Sequence, residues 1–343
     1  MKKAFSEFYR PTDKEFDRLW ANCIFVFDAN VLLNLYRYPQ KTTRKLLPII
    51  ESVKERVWLP YQAGEEYQRN RLKVINEQKE AYGLVNGLID KTLEKLMSEI
   101  KQYSRHPFLD GENICSKVLD AKQKLITELS KVEDTHPDWE TKDYIRRKLD
   151  KIFSNRVGEC FTEDELIEIY KEGEARFKKE IPPGFKDKDK DSTDPTETKK
   201  YGDFVIWKEI LRYANNVKKP IIFITDDQKD DWWWKVAGKN MGPRHELIKE
   251  IRNFANVDFY MYESAQFMRY AGNLNKDDEV IEDIKKIQKN YIYFQDKAGK
   301  IQYFLLNKDS HNDNISGNIV GFKNFGTGET DESTEDDGNN LLQ

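Results

Sequence analysis

Residues 24–35, IFVFDANVLLNL, join an apolar run of strand length to a carboxylate, Asp28, and then to a segment with helical character. The four residues before Asp28 are all apolar, as expected for a strand buried on both faces of a parallel sheet. Residues 56–59 predict a second short strand, which Pro60 ends, and the residues between the two runs predict helices. This β-α-β order favours an α/β fold with a central parallel sheet.

Three further carboxylate positions lie where a predicted strand ends or a predicted helix begins. They are Glu66 with its neighbour Glu65, Asp203, and Asp227 with its neighbour Asp226. Ligands of open α/β sheets bind at the carboxyl ends of the strands, where such residues converge. Because several carboxylates in one crevice repel unless a cation neutralises them, the pattern predicts a Mg²⁺ or Mn²⁺ site that acts on phosphates.

Each of these acids also has a simpler explanation when it is taken alone. Asp28 and Asp203 could cap the helices that follow them, since Asp is a preferred N-cap residue. Glu65 and Glu66 could interact with the dipole of a helix N-terminus, and Asp226 and Asp227 could belong to a turn. The metal-site prediction therefore depends on the acids occurring together on successive elements.

Composition sets limits on the class of protein. The chain has 343 residues, a formal net charge of −4 and three scattered cysteines, which form neither a disulfide framework nor a zinc motif. Its first residues lack the apolar core of a signal peptide, and no apolar run reaches the roughly 18 residues of a membrane span. We expect a cytoplasmic location and no membrane partner.

Apolar residues at three- and four-residue steps predict a long helix over residues 61–103, and further helices follow it. We expect these helices to form an insertion, at about 72–180, that serves as a lid or arm for a partner protein or for self-association. The predicted organisation is an α/β domain at 1–270, a helix and hairpin at 271–308 and a disordered acidic tail at 309–343.

The motif at residues 25–35 resembles the opening motif of PIN-domain nucleases. Further motifs resemble, in the expected order, those of a PIN-like branch of bacterial proteins: WLPYQ at 58–62 with EYQRNR at 66–71, IPPGFKD at 181–187, YGDFVIW at 201–207, ITDDQKDDWW at 224–233 and GPRHEL at 242–247. The likeness covers roughly residues 5–270. It implies a three-layer α/β/α fold with a central parallel sheet and a large helical insertion.

The resemblance also implies an activity, a cofactor and a set of site residues. It makes Asp28, Glu66, Asp203 and Asp227 the catalytic acids and metal ligands of a Mg²⁺- or Mn²⁺-dependent nuclease that acts on RNA or DNA, with Asp226 as a further ligand. Asn30 is expected to orient Asp28. Ala29 departs from the family, which often has Thr or Ser there. The group also looks like components of bacterial toxin or phage-defence systems.

Substrate contacts are expected from basic residues near the acids. Arg69 and Arg71, one helical turn beyond Glu66, could bind phosphates, and Arg244 could add its charge to a helix that Pro243 opens. An ordinary solvated helix face explains the first two equally well. The three tryptophans at 232–234 are expected in the core or against the insertion rather than stacked on bases.

Two other function classes are consistent with parts of this pattern. One is a non-catalytic PIN-like module that binds nucleic acid or a partner protein; a missing acid would favour it, and none is missing. The other is a phosphohydrolase of the haloacid dehalogenase type. That class needs a second Asp two residues after the first, where this chain has Asn30.

Overall fold

The computed structural model describes residues 1–2, 4–188, 198–275, 278–289, 291–295 and 301–305. The chain divides into two units, Met1–Ile284 and Lys285–Gln343. The first unit is a mixed α/β domain, and this agrees with the fold class predicted from the sequence. Its strands are β1 (Ile24–Phe27), β2 (Val57–Trp58), β3 (Ile221–Ile224), β4 (Trp233–Val236), β5 (Lys239–Pro243) and β6 (Phe259–Tyr262).

A four-stranded parallel sheet in the order β2-β1-β3-β6 forms the centre of this unit. The sequence-distant strands β1 and β3 pair in register over their full length, from Ile24 opposite Ile221 to Phe27 opposite Ile224. Every residue of β1 and β3 is buried, because helices flank the sheet. All four strands point their carboxyl ends to the same edge, and this edge carries the site residues.

The helices flank the sheet and extend beyond it. They are α1 (Asp13–Asn22), α2 (Ala29–Asn34), α3 (Gln40–Ser52), α4 (Tyr61–Lys101), α5 (Gly111–Asp134), α6 (Tyr144–Ile152), α7 (Glu163–Lys178), α8 (Gly202–Val217), α9 (His245–Ala255), α10 (Ser264–Ala271) and α11 (Glu279–Lys289). The helix predicted over 61–103 is present as α4. A capping box formed by Thr162 and Glu165 starts α7.

The segment predicted as an insertion has two parts. The buried residues of α4 end at Ile75, and α5 has Cys115 as its buried residue, so the rest of these two helices forms a hairpin that projects from the domain. Helices α6 and α7 instead return to the body. Arg176 of α7, for example, pairs with Glu250 of α9 at 2.6 Å.

The β4–β5 hairpin was not predicted, and the prediction for Pro243 is wrong. Pro243 ends β5 opposite Trp233, and α9 begins two residues later, after Arg244. A proline before a helix is compatible with the first helical turn and with an extended strand end alike, because both need a similar φ. Pairing with β4 selects the strand here. Trp232 and Trp233 are buried, as expected.

The second unit contains an antiparallel pair, β7 (Tyr291–Gln295) and β8 (Ile301–Leu305), at the position of the expected hairpin. The expected tail at 309–343 lies outside the described residues. Within the part of the chain that the structure describes, no helix is both long and apolar enough to cross a membrane.

Candidate active site

The predicted acids occupy four different elements around the carboxyl edge of the sheet. Asp28 directly follows β1 and forms the N-cap of α2. Asp227 lies three residues beyond the end of β3, Asp203 is in the first turn of α8, and Glu66 is in the second turn of α4. The parallel pairing of β1 with β3 brings the first two together, although almost 200 residues separate them.

Asp28 is buried and held in place by three donors. Its Oδ1 accepts a hydrogen bond from the Ala29 N–H at 2.7 Å, and its Oδ2 accepts from Asn30 Nδ2 at 2.7 Å and from the Thr225 hydroxyl at 2.6 Å. Asn30 also accepts from the Asp226 N–H at 3.0 Å, so it links the ends of β1 and β3. The geometry agrees with the orienting role expected for Asn30. Thr225 was not expected in this role.

The electrostatics of Asp28 indicate that the four acids face one another. Burial and the negative charges of Asp203, Glu66 and Asp227 together raise the pKa of Asp28 to about 8, although the hydrogen bond from Thr225 lowers it. A carboxylate in this setting is stabilised by any cation that enters. Such mutual repulsion is the property expected of a cation site before its cation binds.

Lys229 supplies a positive charge inside the group of acids. Its ammonium lies 2.8 Å from Asp227, 3.2 Å from Asp203 and 2.8 Å from Asp187. Burial alone would lower the pKa of Lys229, but these three carboxylates together raise it well above its ordinary value. Lys229 is therefore charged, and it neutralises part of the negative charge at this edge.

Asp187 is a fifth acid at this edge. It lies in the motif at 181–187, but it was not predicted as a site residue. It is buried in a short 3-10 helix, Phe185–Asp187, that follows Gly184. This loop is fixed by Asp231, whose Oδ2 accepts hydrogen bonds from the N–H groups of Gly184 and Lys186, each at 3.0 Å. We call the five carboxylates the acid cluster: Asp28, Glu66, Asp187, Asp203 and Asp227.

Glu66 is positioned by the start of α4 and by the start of α8. Its Oε1 accepts a hydrogen bond from Gln62 Nε2 at 2.9 Å. A Cβ atom at Gly202 would lie 2.9 Å from the same oxygen, so a larger residue there would displace the Glu66 carboxylate. The choice of Glu66 over Glu65 is consistent with the geometry, since Glu65 instead pairs with Arg69 at 2.8 Å.

The Asp226 carboxylate forms hydrogen bonds with residues outside the acid cluster. Its carboxylate accepts from the Ser264 N–H at 2.9 Å, from the Ser264 hydroxyl at 2.6 Å and from Asn34 Nδ2 at 2.9 Å. These bonds tie the end of β3 to α10 and α2. These bonds give Asp226 a bracing role, and the ligand role that the resemblance implied stays a prediction.

The three candidate substrate-binding arginines have different settings. Arg71 is buried and pairs with Asp143 at 2.6 Å, with both side chains 9% exposed, so its guanidinium anchors α4 to the start of α6 and has no access to a substrate. Arg69 pairs with Glu65 on the surface and its side chain is 70% exposed. Arg244 is partly exposed and pairs with Glu246 at 2.6 Å.

The donor set of the acid cluster suits a hard divalent cation, which prefers carboxylate oxygens. As the side chains stand, however, no three His, Cys, Asp or Glu residues within the described ranges converge in an arrangement that could hold a metal ion. The Lys229 ammonium lies among three of the acids. The residues therefore fit a divalent ion by their chemistry and by the repulsion at Asp28.

Comparison with known proteins gives one match. A sequence profile for the family described as "PIN like domain" matches residues 24–247, which include the whole acid cluster. No curated protein and no solved structure matches the chain.

Proposed function

The chain belongs to the PIN-like domain family, and from this premise we propose that it is a divalent-metal-dependent nuclease that hydrolyses phosphodiester bonds of RNA or DNA. One observation carries the proposal. A buried aspartate at the end of a central strand faces three other carboxylates, and their charges raise its pKa. Such a group does not stabilise the fold by itself, because burying carboxylates that repel one another is costly. The arrangement is explained by a cation that binds there.

The proposed ligands are Asp28, Glu66, Asp203 and Asp227, and the proposed cofactor is Mg²⁺ or Mn²⁺. When bound, the metal would supply an activated water and would stabilise the leaving oxygen of the phosphodiester. Thr225 and Asn30 hold the Asp28 carboxylate in one orientation through the hydrogen bonds described above. Rigid placement of this kind keeps a ligand ready before the cation arrives.

Basic groups around the acid cluster are proposed to bind the phosphates of the substrate. Arg69 lies one helical turn beyond Glu66, and its exposed guanidinium can contact a phosphate bidentately. On the other side, the charges of Lys235, Lys186 and Arg244 act on Asp230, so these three cations lie around the turn that follows Asp227. A nucleic-acid backbone that crosses the acid cluster would meet positive charge on both sides.

The test is a nuclease assay of the purified full-length protein on labelled single- and double-stranded RNA and DNA, with Mg²⁺, with Mn²⁺ and with EDTA. We expect the wild type to cleave at least one substrate with the divalent ion and not with EDTA. Asp28→Asn should reduce this cleavage to background. Asp258→Asn changes an aspartate whose side chain is 69% exposed and serves as the matched control. Equal cleavage by wild type and Asp28→Asn on every substrate would overturn the proposal.

The second candidate function is a non-catalytic module that binds nucleic acid or a partner protein. The observation that favours it is Lys229, whose ammonium already pairs with three carboxylates of the acid cluster. Titration calorimetry distinguishes the two functions. Tight binding of nucleic acid without measurable binding of Mn²⁺ supports the module, whereas Mn²⁺ binding that Asp28→Asn abolishes supports the nuclease.

For the biological setting, we propose a toxin-like or phage-defence role, on the family resemblance alone. The genes that neighbour the coding sequence test this role. A partner gene for an antitoxin-like protein or for other defence components would support it, and an isolated housekeeping context would count against it.

A further inference from the structure

The two helices of the α4–α5 hairpin contact each other along one side of each helix. Lys122 of α5 pairs with Asp90 of α4 at 2.8 Å, and the Cys115 thiol lies 3.9 Å from the Met97 carbonyl oxygen. Neither helix has a buried residue between Asn76 and Ile114. We call residues 76–134 the arm. Its inner face is the one that carries these contacts.

The two helices of the arm also expose large apolar side chains, which together we call the outer face. The exposed large apolar side chains on its two helices are Leu84, Val85, Leu88 and Leu96 of α4, and Ile114, Leu119, Leu125 and Val132 of α5. Leu88 is 65% exposed and Val132 is 55% exposed. Single exposed apolar residues are common, but a set that follows two adjacent helices marks an interaction surface. Within the described residues, nothing covers these side chains.

The size of this face is that of a specific interface between two proteins. The arm section of α4, from Asn76 to Lys101, is about 39 Å long at 1.5 Å per residue. Two helices side by side, with axes about 10 Å apart, give a face about 20 Å wide. The face therefore offers about 700–800 Å² per copy, which is the per-partner area of a standard stable interface.

The charges of the arm are divided between its two ends. The half near the body, residues 76–90 and 125–134, has six acidic residues and two basic ones: Glu77, Glu80, Asp90, Glu128, Glu133 and Asp134 against Lys79 and Lys131. The half near the tip, residues 91–124, has seven basic residues and five acidic ones: Lys91, Lys95, Lys101, Arg105, Lys117, Lys122 and Lys124 against Glu94, Glu99, Asp110, Glu112 and Asp120. The base is thus negative and the tip is positive.

We propose that the arm binds the arm of a second copy of this chain, antiparallel, to form a four-helix bundle. A two-fold axis near Leu88 lays the negative base of each arm on the positive tip of the other. Parallel pairing would instead place the six acids of one base against the six of the other. The apolar residues of both outer faces then form the core of the bundle, as in other antiparallel bundles.

Analytical ultracentrifugation of the full-length chain tests the interface. We expect a dimer whose dissociation constant rises by about 30-fold or more in Leu88→Glu and in Leu125→Glu, because a charge in the centre of an interface removes a hot spot. Ile167→Glu introduces the same charge at an apolar residue of α7 that is 50% exposed, and is the matched control. A wild type that stays monomeric at about 50 µM, or a control that weakens the dimer equally, overturns the proposal.

Thiol cross-linking tests the orientation, and it does not depend on a substitution in the core of the bundle. Glu80→Cys and Glu99→Cys change exposed positions at the base and towards the tip, in a background in which the exposed Cys160 is serine. Antiparallel docking predicts cross-links between the two variants when they are mixed and little cross-linking of either alone. Efficient cross-linking of each variant with itself indicates parallel docking and overturns the proposal.

Discussion

Lys229 brings a positive charge to a place where the sequence analysis expected a metal ion to neutralise the acids. Because the ammonium is within 3.2 Å of three carboxylates, it acts as their counter-ion and neutralises part of their charge. Under the proposed function, a divalent ion and Lys229 would compete for the same oxygens. A displaced Lys229 could then contact a substrate phosphate as a point charge.

Lys229→Met is expected to destabilise the protein in EDTA, by about 3 kcal/mol, because three carboxylates lose a partner at a partly buried site. Mn²⁺ should restore much of this loss, since it binds the folded state and not the unfolded chain. Thermal unfolding of both proteins, with EDTA and with Mn²⁺, measures the effect.

Lys235→Met is the matched control for Lys229→Met. Lys235 pairs with Asp230 at 2.9 Å, but Asp230 is 57% exposed, so its loss should change stability little. A Lys229→Met protein as stable in EDTA as the wild type would show that the ammonium does not act as a counter-ion.

At the scale of single residues, the sequence indicated the positions of Asp28, Asp203 and Asp227, but not those of Asp187 and Lys229. Asp28, Asp203 and Asp227 adjoin recognisable strands or helix starts, so their convergence follows from the topology of a parallel sheet. Asp187 and Lys229 have no such signal, because their positions depend on a loop that Asp231 ties down from 45 residues away. Side-chain pairing of this kind is set by tertiary structure and not by spacing.

Glu209 connects two elements, because this residue of α8 accepts hydrogen bonds from the N-terminus of α4. Its carboxylate accepts from the Gln62 N–H at 3.2 Å, and it is only 2% exposed. Burial raises the pKa of Glu209 from 4.5 to about 8, although its backbone hydrogen bonds oppose this shift. Glu209 thus helps to position the helix that carries Glu66, and it does so as a neutral acid near neutral pH.

The unfolded chain releases the Glu209 proton near pH 4.5 and the folded protein near pH 8. Folding therefore retains a proton that the unfolded chain has lost, and the contribution of Glu209 to the free energy of unfolding falls as pH rises through this window. Glu209→Gln keeps an acceptor for the N–H groups without the charge. We expect it to be more stable than the wild type by about 4 kcal/mol at pH 8 and equally stable near pH 4.

Urea unfolding at several pH values between 4 and 9 checks this expectation. Glu168→Gln, at a side chain that is 72% exposed, should follow the wild type at every pH. A Glu209→Gln protein whose stability differs from the wild type by the same amount at pH 4 and pH 8 would exclude titration of Glu209 as the cause.

At the scale of elements, periodicity predicted the long helices well and the β4–β5 hairpin not at all. Helix α4 has apolar residues at helical steps over most of its length, whereas β5 is the exposed segment Lys239–Pro243, with little apolar content. A strand of this kind is held by pairing with its neighbour, which the sequence of β5 does not encode. Pro243 was misplaced for the same reason.

For the whole molecule, the arm is expected to be separable from the α/β body. Since the buried residues of α4 end at Ile75, replacing residues 84–128 with a short Gly-Ser linker removes almost no core. The melting temperature should change by no more than about 3 °C, and metal-dependent cleavage should persist in proportion to folded protein.

Circular dichroism and the nuclease assay on the shortened chain test this separation. The helical signal per residue should decrease, because only helix is removed. A loss of more than about 10 °C in melting temperature would mean that the arm contributes to the stability of the body, contrary to its exposure.

The overall architecture could be predicted from the sequence because motifs in order define the family and its sheet. The family profile and the parallel order β2-β1-β3-β6 confirm that prediction. What the arm binds could not be predicted, because amphipathic spacing looks the same whether a helix packs on its own body or on another molecule. Exposure of the outer face appears only in the folded structure.

Because β1 pairs with β3, the site can form only after a large part of the chain has been synthesised. When synthesis has reached only the residues before α8, the chain already contains β1, β2, Asp28 and Glu66. It does not yet contain Asp203, Asp227, Lys229 or the strand β3 that pairs with β1. Proteins are made from the N-terminus, so a chain whose synthesis has not passed Lys229 lacks an assembled centre. Under the proposed function, the chain would gain nuclease activity only after most of its domain has been made.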